Sequence, residues 1–199
     1  VPADGSDPLD MQLSFRGICW FNGYLTFSVS SSIRSMIYQL RNGKVYRIAG
    51  EGPIGYSGDG GPALSARIYY PRDITTDGQN LFFSDYGNDK IRMIDKSGII
   101  STLPLNIPLN CEHIYWHDNK LFILDYLSSS IKIFENGLVK DFAFVSQAKK
   151  PDAIPLKDAN LTPVDNIYTT SMTDIVAYKN GYILVYGNNP PDAGAVYIE

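Results

Sequence analysis

The sequence predicts an all-β fold, a β-propeller to which this chain contributes four blades. Two observations lead to this prediction. Short strand-forming segments alternate with turn residues along the whole chain, and the alternation recurs in units of roughly 40 residues, as propeller blades do. The composition agrees, because aromatic residues make up 13% of the 199 residues and include 14 tyrosines, and aromatic side chains favour strands.

The second strand of each unit sets the alignment of the units. Each of these strands follows a turn of Asx and Gly residues, which tolerate the positive φ of tight hairpins. A first strand precedes the turn, a third strand follows the second, and three of the units carry a fourth. The second strands are Tyr24–Ser28, Leu81–Asp85, Leu121–Asp125 and Tyr182–Tyr186. The predicted blades cover residues 11–50, 64–104, 108–143 and 168–199.

The long loops between units also repeat. Asp59–Ile68 aligns with Asp152–Leu161 on the pattern D-x-x-P-x-x-x-A-x-[IL], and Asp4–Leu13 aligns as an eroded third copy that is one residue out of step. We expect the two glycines after Asp59 to adopt positive φ, and the Asp59 carboxylate to accept hydrogen bonds from backbone amides. The loop residues assigned a structural role are Asp59, Gly60, Gly61, Pro62, Asp152 and Pro155.

The second unit carries the most specific motif. It reads Gly-Tyr-Ser-Gly-Asp-Gly-Gly-Pro-Ala over 55–63, then Pro-Arg-Asp-Ile over 71–74, and Asp-Tyr-Gly-Asn-Asp-Lys-Ile-Arg over 85–92. This unit resembles an NHL repeat, whose signature is Asp-(Thr/Tyr)-Gly-Asn-x-(Arg/Lys)-Ile-Arg. The specific match spans residues 55–103, and the flanking units are weaker. The resemblance implies a propeller of about six blades.

Residues 1–199 are therefore expected to form one propeller domain that is incomplete. A blade is stabilised by stacking on its neighbours, so an arc of four would leave the outer face of blade 1 and the edge at Ala195–Ile198 open. We expect further blades, from the rest of the same chain or from another chain, to cover both ends. A closed four-blade ring is the alternative. The start at Val1, without a Met or a signal peptide, indicates an internal or processed piece.

Charge and hydropathy argue against two classes of partner. With 17 basic and 21 acidic residues the formal net charge is −4, whereas a nucleic-acid surface needs clustered Lys and Arg. No apolar stretch approaches the roughly 18 residues of a membrane helix. We therefore expect protein partners, no nucleic acid and no membrane span in this segment.

The candidate metal ligands do not converge in the sequence. His113 and His117 are the only histidines, and on a strand they lie on the order of 13 Å apart, too far for one zinc, whose ligand nitrogens lie about 2.1 Å from the ion. Some NHL-like propellers are lyases that hold zinc on histidines from several blades, so the resemblance leaves a metal-dependent lyase or hydrolase open, with its site in blades outside this segment.

Three carboxylates begin first strands at one rim. Asp73, Glu112 and Asp174 could hold calcium, which takes 6–8 oxygen ligands, or they could bond loop amides between blades. No cofactor is expected otherwise. Cys19 and Cys111 are expected to be buried free thiols, because a disulfide requires Cα atoms within about 7 Å.

The leading functional prediction is a non-catalytic binding or assembly module that contacts protein or glycan partners through rim loops, since loops on rigid scaffolds carry function. We predict an extracellular location from the glycosylation sequon at Asn160. The alternatives are the propeller enzyme and an RNA-binding NHL propeller. The loop aromatics predicted to contact a partner are Tyr69, Tyr70, Tyr126 and Tyr168.

Overall fold

The computed structural model describes residues 3–10, 14–105, 107–125, 127–128 and 130–142, together with the strand backbones at 143–146, 167–168, 172–178, 181–186 and 194–198. Within these residues the chain forms four antiparallel sheets that follow one another in sequence order. The predicted loop residues Asp152, Pro155 and Asn160, and the predicted contact residue Tyr126, lie outside the described residues.

The four sheets are the predicted blades, and the all-β propeller fold is confirmed. Blade 1 consists of β1 (Ser14–Phe21), β2 (Tyr24–Ser30), β3 (Arg34–Arg41) and β4 (Lys44–Pro53). Blade 2 consists of β5 (Pro71–Thr76), β6 (Leu81–Asp85), β7 (Lys90–Ile94) and β8 (Ile100–Thr102). Blade 3 consists of β9 (Cys111–His117), β10 (Lys120–Asp125), β11 (Ser130–Glu135) and β12 (Leu138–Ser146), to which β13 (Ile167–Tyr168) adds in parallel. Blade 4 contains β14 (Met172–Tyr178), β15 (Gly181–Tyr186) and β16 (Gly194–Ile198).

Hairpin turns join the strands within each blade as the turn residues predict. Asn22-Gly23, Asn42-Gly43 and Asn136-Gly137 all adopt positive φ, which suits the right-handed twist of the strands they connect. The fourth strands depart most from expectation. β4 and β12 run to Pro53 and Ser146, beyond the predicted ends, whereas β8 is only three residues long.

The first strands pack side by side in the order β1, β5, β9, β14 and so form the inner edge of the propeller arc. All four carry a bulge near the start. It lies between Phe15 and Ile18 in β1, between Pro71 and Ile74 in β5, opposite Leu124 and Asp125 in β9, and between Met172 and Asp174 in β14. The four units thus share an irregularity as well as a strand order.

The two largest buried clusters lie between blades, and a smaller one, which includes Phe27, Val29 and Tyr38, lies on one face of blade 1. Blade 1 contributes Phe21, Ile37 and Ala49 to a buried cluster in which Ile74 and Phe83 of blade 2 also lie. A second cluster joins blades 2 and 3 through residues that include Phe82, Ile91, Ile114, Leu121 and Ile123. This is the stacking from which repeat proteins gain most of their stability.

In the described part of the chain, helical structure is limited to three single 3-10 turns at Pro8–Asp10, Ala63–Ser65 and Tyr86–Asn88. Among the residues that the structure describes, none forms a helix with the length and apolar character that crossing a bilayer requires.

Candidate binding site

The residues of the NHL-like motif converge on one buried arginine. The side chain of Arg92 is completely buried. It donates to the carbonyl oxygens of Arg67 and Ser57, both at 2.9 Å, and to the Asp59 carboxylate at 2.7 Å. The ring of Tyr56 stacks over it with 5.1 Å from Cζ to the ring centroid. Arg92 therefore fastens the loop between blades 1 and 2, residues 54–70, to the third strand of blade 2.

This arrangement corrects the role predicted for Asp59. We expected its carboxylate to accept backbone amides, but the hydrogen bonds that it accepts come from side chains, those of Arg92 and Tyr56 among them. Burial raises the pKa of Asp59, but hydrogen bonds from Thr102 and Arg92 outweigh it and leave the pKa below its usual value. Gly60 has φ 80°, as expected, whereas Gly61 is not in the positive-φ region.

Asp85, the first residue of the motif, anchors the inner end of the same loop. Its carboxylate accepts the backbone N–H of Tyr69 at 2.6 Å and the side-chain amide of Asn88 at 2.9 Å, and lies 3.5 Å from Arg92. Asn88 also donates to the carbonyl oxygen of Gly55 at 2.8 Å. The most specific motif of the sequence thus holds the loop of residues 54–70 against blade 2.

Burial is the largest influence on the pKa of Asp85. Desolvation raises its pKa from 3.8 to about 6, against the opposing hydrogen bonds from Tyr69 and Asn88 and the charge of Arg92. Because the folded state then binds the proton more tightly than the unfolded state, the free energy of unfolding should fall as pH rises from about 4 to about 6. Urea unfolding of the wild type and of Asp85→Asn across this range checks the prediction, since the variant should lose this slope. Equal slopes would contradict it.

The loop also covers the outer edge of blade 2. The N–H of Gly60 donates to the Ile100 carbonyl at 2.8 Å, and the N–H of Ile100 donates to the Gly61 carbonyl at 3.0 Å. Blade 1 repeats this pairing with the segment before it, where Gly5 donates to Val45 at 2.9 Å and Val45 donates to Ser6 at 3.1 Å. Each loop therefore closes the edge of the blade that follows it, which protects a strand that would otherwise be open.

The third copy of the loop, which begins at Asp4, therefore aligns with the copy between blades 1 and 2 at the residues that form these backbone hydrogen bonds. Asp4, Gly5 and Ser6 take the places of Asp59, Gly60 and Gly61, and the 3-10 turns at Pro8–Asp10 and Ala63–Ser65 follow at the same spacing. Only the proline is displaced by one residue. The described part of Asp4–Leu13 ends at residue 10.

A cleft of about 500 Å³ opens on the rim beside this loop. It exists because β8 ends at Thr102, opposite Arg92, whereas β4 continues to the start of β3 and β12 to the start of β11. The chain leaves the sheet at Leu103 and returns as a loop to β9. The lining residues are Tyr56, Asp89, Lys90, Ile91, Thr102, Leu103, Pro104, Leu105, Ile107, Pro108 and Leu109.

The floor of the cleft is apolar and fixed. Ile91, Leu105 and Leu109 are buried in the core between blades 2 and 3. One wall is Tyr56, which is 49% exposed but held in place by bonds from its hydroxyl to Asp59 and Thr102, both at 3.0 Å. The walls are therefore organised before any partner arrives, which lowers the entropic cost of binding.

The lining of the cleft also carries two adjacent charges. Asp89 and Lys90 are both exposed at the start of β7. Neither makes an ion pair with another residue in the described parts of the chain, unlike most charged residues around them. Asp89 has φ 52°, a conformation that Asp and Asn tolerate better than most residues. The cleft thus combines apolar surface with two free charges, the usual pattern of a binding pocket.

The predicted contact tyrosines lie elsewhere on the rim. Tyr69 and Tyr70 are both half-buried, with ring centroids 5.2 Å apart. The Tyr69 ring packs against Gly87, where a Cβ would lie 2.5 Å from the ring. Tyr70 has φ 51° and its N–H donates to Ser35 at 3.0 Å. Their packing is that of loop residues. Tyr168 lies in β13, and its side chain is outside the described residues.

The rim carboxylates bond to protein groups. Asp73 accepts the N–H of Ile74 at 2.8 Å and, from the next blade, the N–H of Ile114 at 3.0 Å, with His113 Nδ1 at 3.6 Å. Glu112 instead pairs with Arg72 at 3.1 Å. Asp73 therefore bridges blades 2 and 3 through amides of the strands β5 and β9, rather than through loop amides. The side chain of Asp174 is not described.

Both histidines lie on β9, four residues apart on an extended strand, with His117 as the last residue of the strand rather than in the turn where the sequence placed it. In the parts of the chain that are described, no three His, Cys, Asp or Glu side chains are grouped so that they could share a metal ion. Cys19 and Cys111 are free thiols. Burial, with Asp73 nearby, raises the pKa of Cys19 to about 12 and that of Cys111 well above its usual value, so neither is a reactive thiolate.

Comparison with known proteins supports the propeller fold and identifies neither a family nor an activity. No family model and no curated protein matches the chain. Two solved structures of lyases are similar to the chain. A streptogramin B lyase matches with a TM-score of 0.56 and 18% identity, over 97% of this chain and 58% of that chain. A catalytically inactive virginiamycin B lyase from Staphylococcus aureus with quinupristin matches with a TM-score of 0.53 and 18% identity, over 92% of this chain and 55% of that chain. A third similar structure is the calcium-binding protein regucalcin from Agrobacterium tumefaciens, with a TM-score of 0.53 and 10% identity over 90% of this chain and 54% of that chain. The chain thus spans little more than half the length of each.

Proposed function

We propose that this chain is a non-catalytic binding module whose rim cleft receives an apolar segment of a protein partner. The observation that carries the proposal is the cleft that Tyr56 lines together with residues 103–105 and 107–109. Its volume of about 500 Å³ lies within the usual range for ligand sites. Tyrosine is also enriched where proteins bind one another.

The chemistry of the cleft favours a protein segment over a glycan. Its lining combines five aliphatic side chains, two prolines and one tyrosine with polar groups that supply more than half of its accessible surface, which suits a peptide segment with an apolar side chain between polar groups. The free charges of Asp89 and Lys90 then suit charged groups on either side of that apolar side chain, because complementary charges set orientation and association rate.

A peptide display library and a glycan array, both probed with the wild-type chain, test the proposal. We expect selected peptides to share an apolar residue flanked by charges. The variant Asp89→Asn/Lys90→Met should bind them about tenfold more weakly, a loss of about 1.4 kcal/mol. Asparagine keeps the positive φ accessible and methionine keeps the length of lysine, so the fold should be unaffected.

The matched control is Lys96→Met, which removes a charge from an exposed turn of the same blade outside the cleft. It should leave peptide affinity unchanged. Selection of glycans alone, of no ligand, or of peptides that bind the double variant as tightly as the wild type would contradict the proposal.

The family and location remain proposals as well. The NHL assignment is supported by the motif between residues 55 and 103, and the extracellular location by the sequon at Asn160. The enzymatic alternative places its site in blades outside this segment, because a zinc site on histidines from several blades needs at least three and this segment contains two. Metal analysis of the purified full-length protein distinguishes the enzyme from the binding module.

A further inference from the structure

The carboxylate of Asp85 contacts three hydrogen-bond donors below the rim cleft. Its Oδ1 accepts the backbone N–H of Tyr69 at 2.6 Å, and its Oδ2 accepts the side-chain amide of Asn88 at 2.9 Å. Arg92 Nη1 lies 3.5 Å from Oδ2, and both side chains of this ion pair are completely buried. The three contacts suit an ionised carboxylate, which only accepts hydrogen bonds.

The Asn88 amide joins Asp85 to the wall of the cleft. Its nitrogen Nδ2 donates to Asp85 and also to the carbonyl oxygen of Gly55 at 2.8 Å. Because both partners are acceptors, this orientation of the amide is the one that fits the ionised carboxylate. Gly55 precedes Tyr56, which lines the rim cleft. We call Asp85, Asn88 and Gly55 the loop anchor.

A proton on Asp85 does not fit these contacts. A buried carboxyl O–H needs an acceptor, and leaving it unpaired costs about 1–3 kcal/mol. The backbone N–H of Tyr69 and the guanidinium of Arg92 have no acceptor to offer, whereas the Asn88 amide has its oxygen Oδ1. Turning that amide presents Oδ1 to Asp85 and takes Nδ2 away from Gly55. The carbonyl group of Gly55 then loses its donor.

The effect of the proton is local, because the loop keeps its other attachments to blade 2. Arg92 still donates to the Asp59 carboxylate and to two carbonyl oxygens of the loop. The backbone on the other side of Gly55 is held less firmly, since its N–H donates to the Ile68 carbonyl over 3.4 Å. The segment that gains freedom is therefore residues 55–56, which includes the tyrosine wall of the cleft.

Arg92 is the charged group that pairs with Asp85. In the neighbouring strand β5, Arg72 and Asp73 pair instead with residues of blade 3. The other charged or titratable side chains on the elements around Asp85 are Tyr86 and Asp89 in and after the 3-10 turn, Lys90 of β7, and Tyr56, Asp59, Arg67 and Tyr69 of the loop.

The proton is taken up in mildly acidic solution. Burial raises the pKa of Asp85 to about 6, although the hydrogen bonds from Tyr69 and Asn88 and the charge of Arg92 oppose it. Histidine titrates in the same range. The nearest candidate for a competing effect is His113, but it pairs with Asp73 between blades 2 and 3, whereas Asp85 holds the loop between blades 1 and 2.

We infer that protonation of Asp85 releases Gly55 and Tyr56 from blade 2 and thereby lowers the affinity of the rim cleft for its protein partner. The inference rests on the proposed function and adds its regulation, with tight binding in neutral and weaker binding in mildly acidic solution. A wall that is no longer fixed raises the entropic cost of binding. Because linkage is reciprocal, a bound partner should in turn make Asp85 harder to protonate.

Nuclear magnetic resonance of the full-length protein tests the structural step without a partner. The chain carries ¹³C in glycine carbonyl and aspartate carboxyl groups, ¹⁵N in asparagine side chains, and 3-fluorotyrosine at position 56. We expect the signals of the loop anchor and of Tyr56 to titrate with one midpoint near pH 6. Titration of Asp85 without a change at Gly55 would overturn the inference, as would an Asp85 that stays ionised down to about pH 4.

Two variants locate the effect. Asn88→Ala removes the amide that joins Asp85 to Gly55, so its Gly55 signal should no longer respond to pH. Asp118→Asn is the control, because it removes a carboxylate that is 71% exposed in a turn of blade 3, at a positive φ that Asn also tolerates. Its Gly55 signal should titrate as in the wild type.

Peptides selected on the wild-type chain at neutral pH test the functional step. Between about pH 7.5 and about pH 5 the affinity of the wild type and of Asp118→Asn should fall about fivefold. Asn88→Ala should bind at both pH values as weakly as the wild type does at the lower one. Equal wild-type affinity at both pH values, or a fall that persists in Asn88→Ala, would overturn the inference alone. Absence of peptide binding at both pH values would instead contradict the binding function itself.

Discussion

Replacing Arg92 with alanine should destabilise the protein by about 3–5 kcal/mol, because it removes one partner of a buried charged network and leaves the other charges without compensation. Asp85 lies completely buried beside it, and at pH 7 its pKa of about 6 leaves it ionised. The carbonyl groups of Ser57 and Arg67 would lose their donors at the same time. Urea unfolding at pH 7 measures the loss.

The control is Arg67→Ala in the same loop. Arg67 also forms an ion pair, with Glu51, but its side chain is 53% exposed, and exposed pairs contribute about 0–1 kcal/mol. A loss of similar size in Arg67→Ala and Arg92→Ala would show that burial of the charge does not matter here.

The corresponding residues of blade 1 indicate a double substitution that should restore part of the stability lost in Arg92→Ala. Val29 and Tyr38 occupy the positions of Asp85 and Arg92 in its sheet, so one propeller uses both an ionic and an apolar solution at the same place. We expect Asp85→Val/Arg92→Tyr to be more stable than Arg92→Ala, since replacing a whole buried pair costs less than breaking it. The comparison also separates the contribution of the ion pair to the free energy of unfolding from the contribution of loop packing.

The fold could be predicted from sequence because its signals are local and repeated. Turns such as Asn22-Gly23 and Asn136-Gly137 require positive φ that few residues tolerate, and the structure places them where expected. The loop pattern that includes Asp59 predicted a repeated element between blades, and Gly5-Ser6 pairs with Val45 through the same backbone hydrogen bonds as Gly60-Gly61 with Ile100. Such signals need no knowledge of distant parts of the chain.

The candidate site could not be predicted because it depends on contacts between distant segments. Nothing near Arg92 in sequence indicates that Asp59, 33 residues away, is its partner. The cleft exists because β8 stops at Thr102, and strand ends are the least certain part of a sequence-based prediction. Tyr56 lines the cleft, whereas the rings of Tyr69 and Tyr70 lie against each other and that of Tyr69 against Gly87. An exposed aromatic residue next to a glycine-rich run is the sequence signal that points to Tyr56.

Gly17→Ala should be among the most destabilising single-methyl changes in the chain, with a loss of about 3 kcal/mol or more. A Cβ at residue 17 would lie 2.5 Å from the backbone nitrogen of Ile74 and 2.7 Å from the Cα of Asp73. The atoms in the way are backbone atoms of β5, so no side chain can rotate aside. The first strands of blades 1 and 2 would have to separate, or the chain at Gly17 would have to lose its 2.9 Å hydrogen bond to Ser28.

The control for this change is Gly61→Ala. Gly61 also lacks positive φ, and its nearest obstruction is the Gly58 carbonyl oxygen at 3.3 Å, a contact that a small shift of an exposed loop can relieve. We expect a loss of about 1 kcal/mol or less. Because the clash at Gly17 lies between two blades, its cost should also appear as faster amide exchange in both β1 and β5, whereas a defect confined to β1 would show that the two first strands are not in contact.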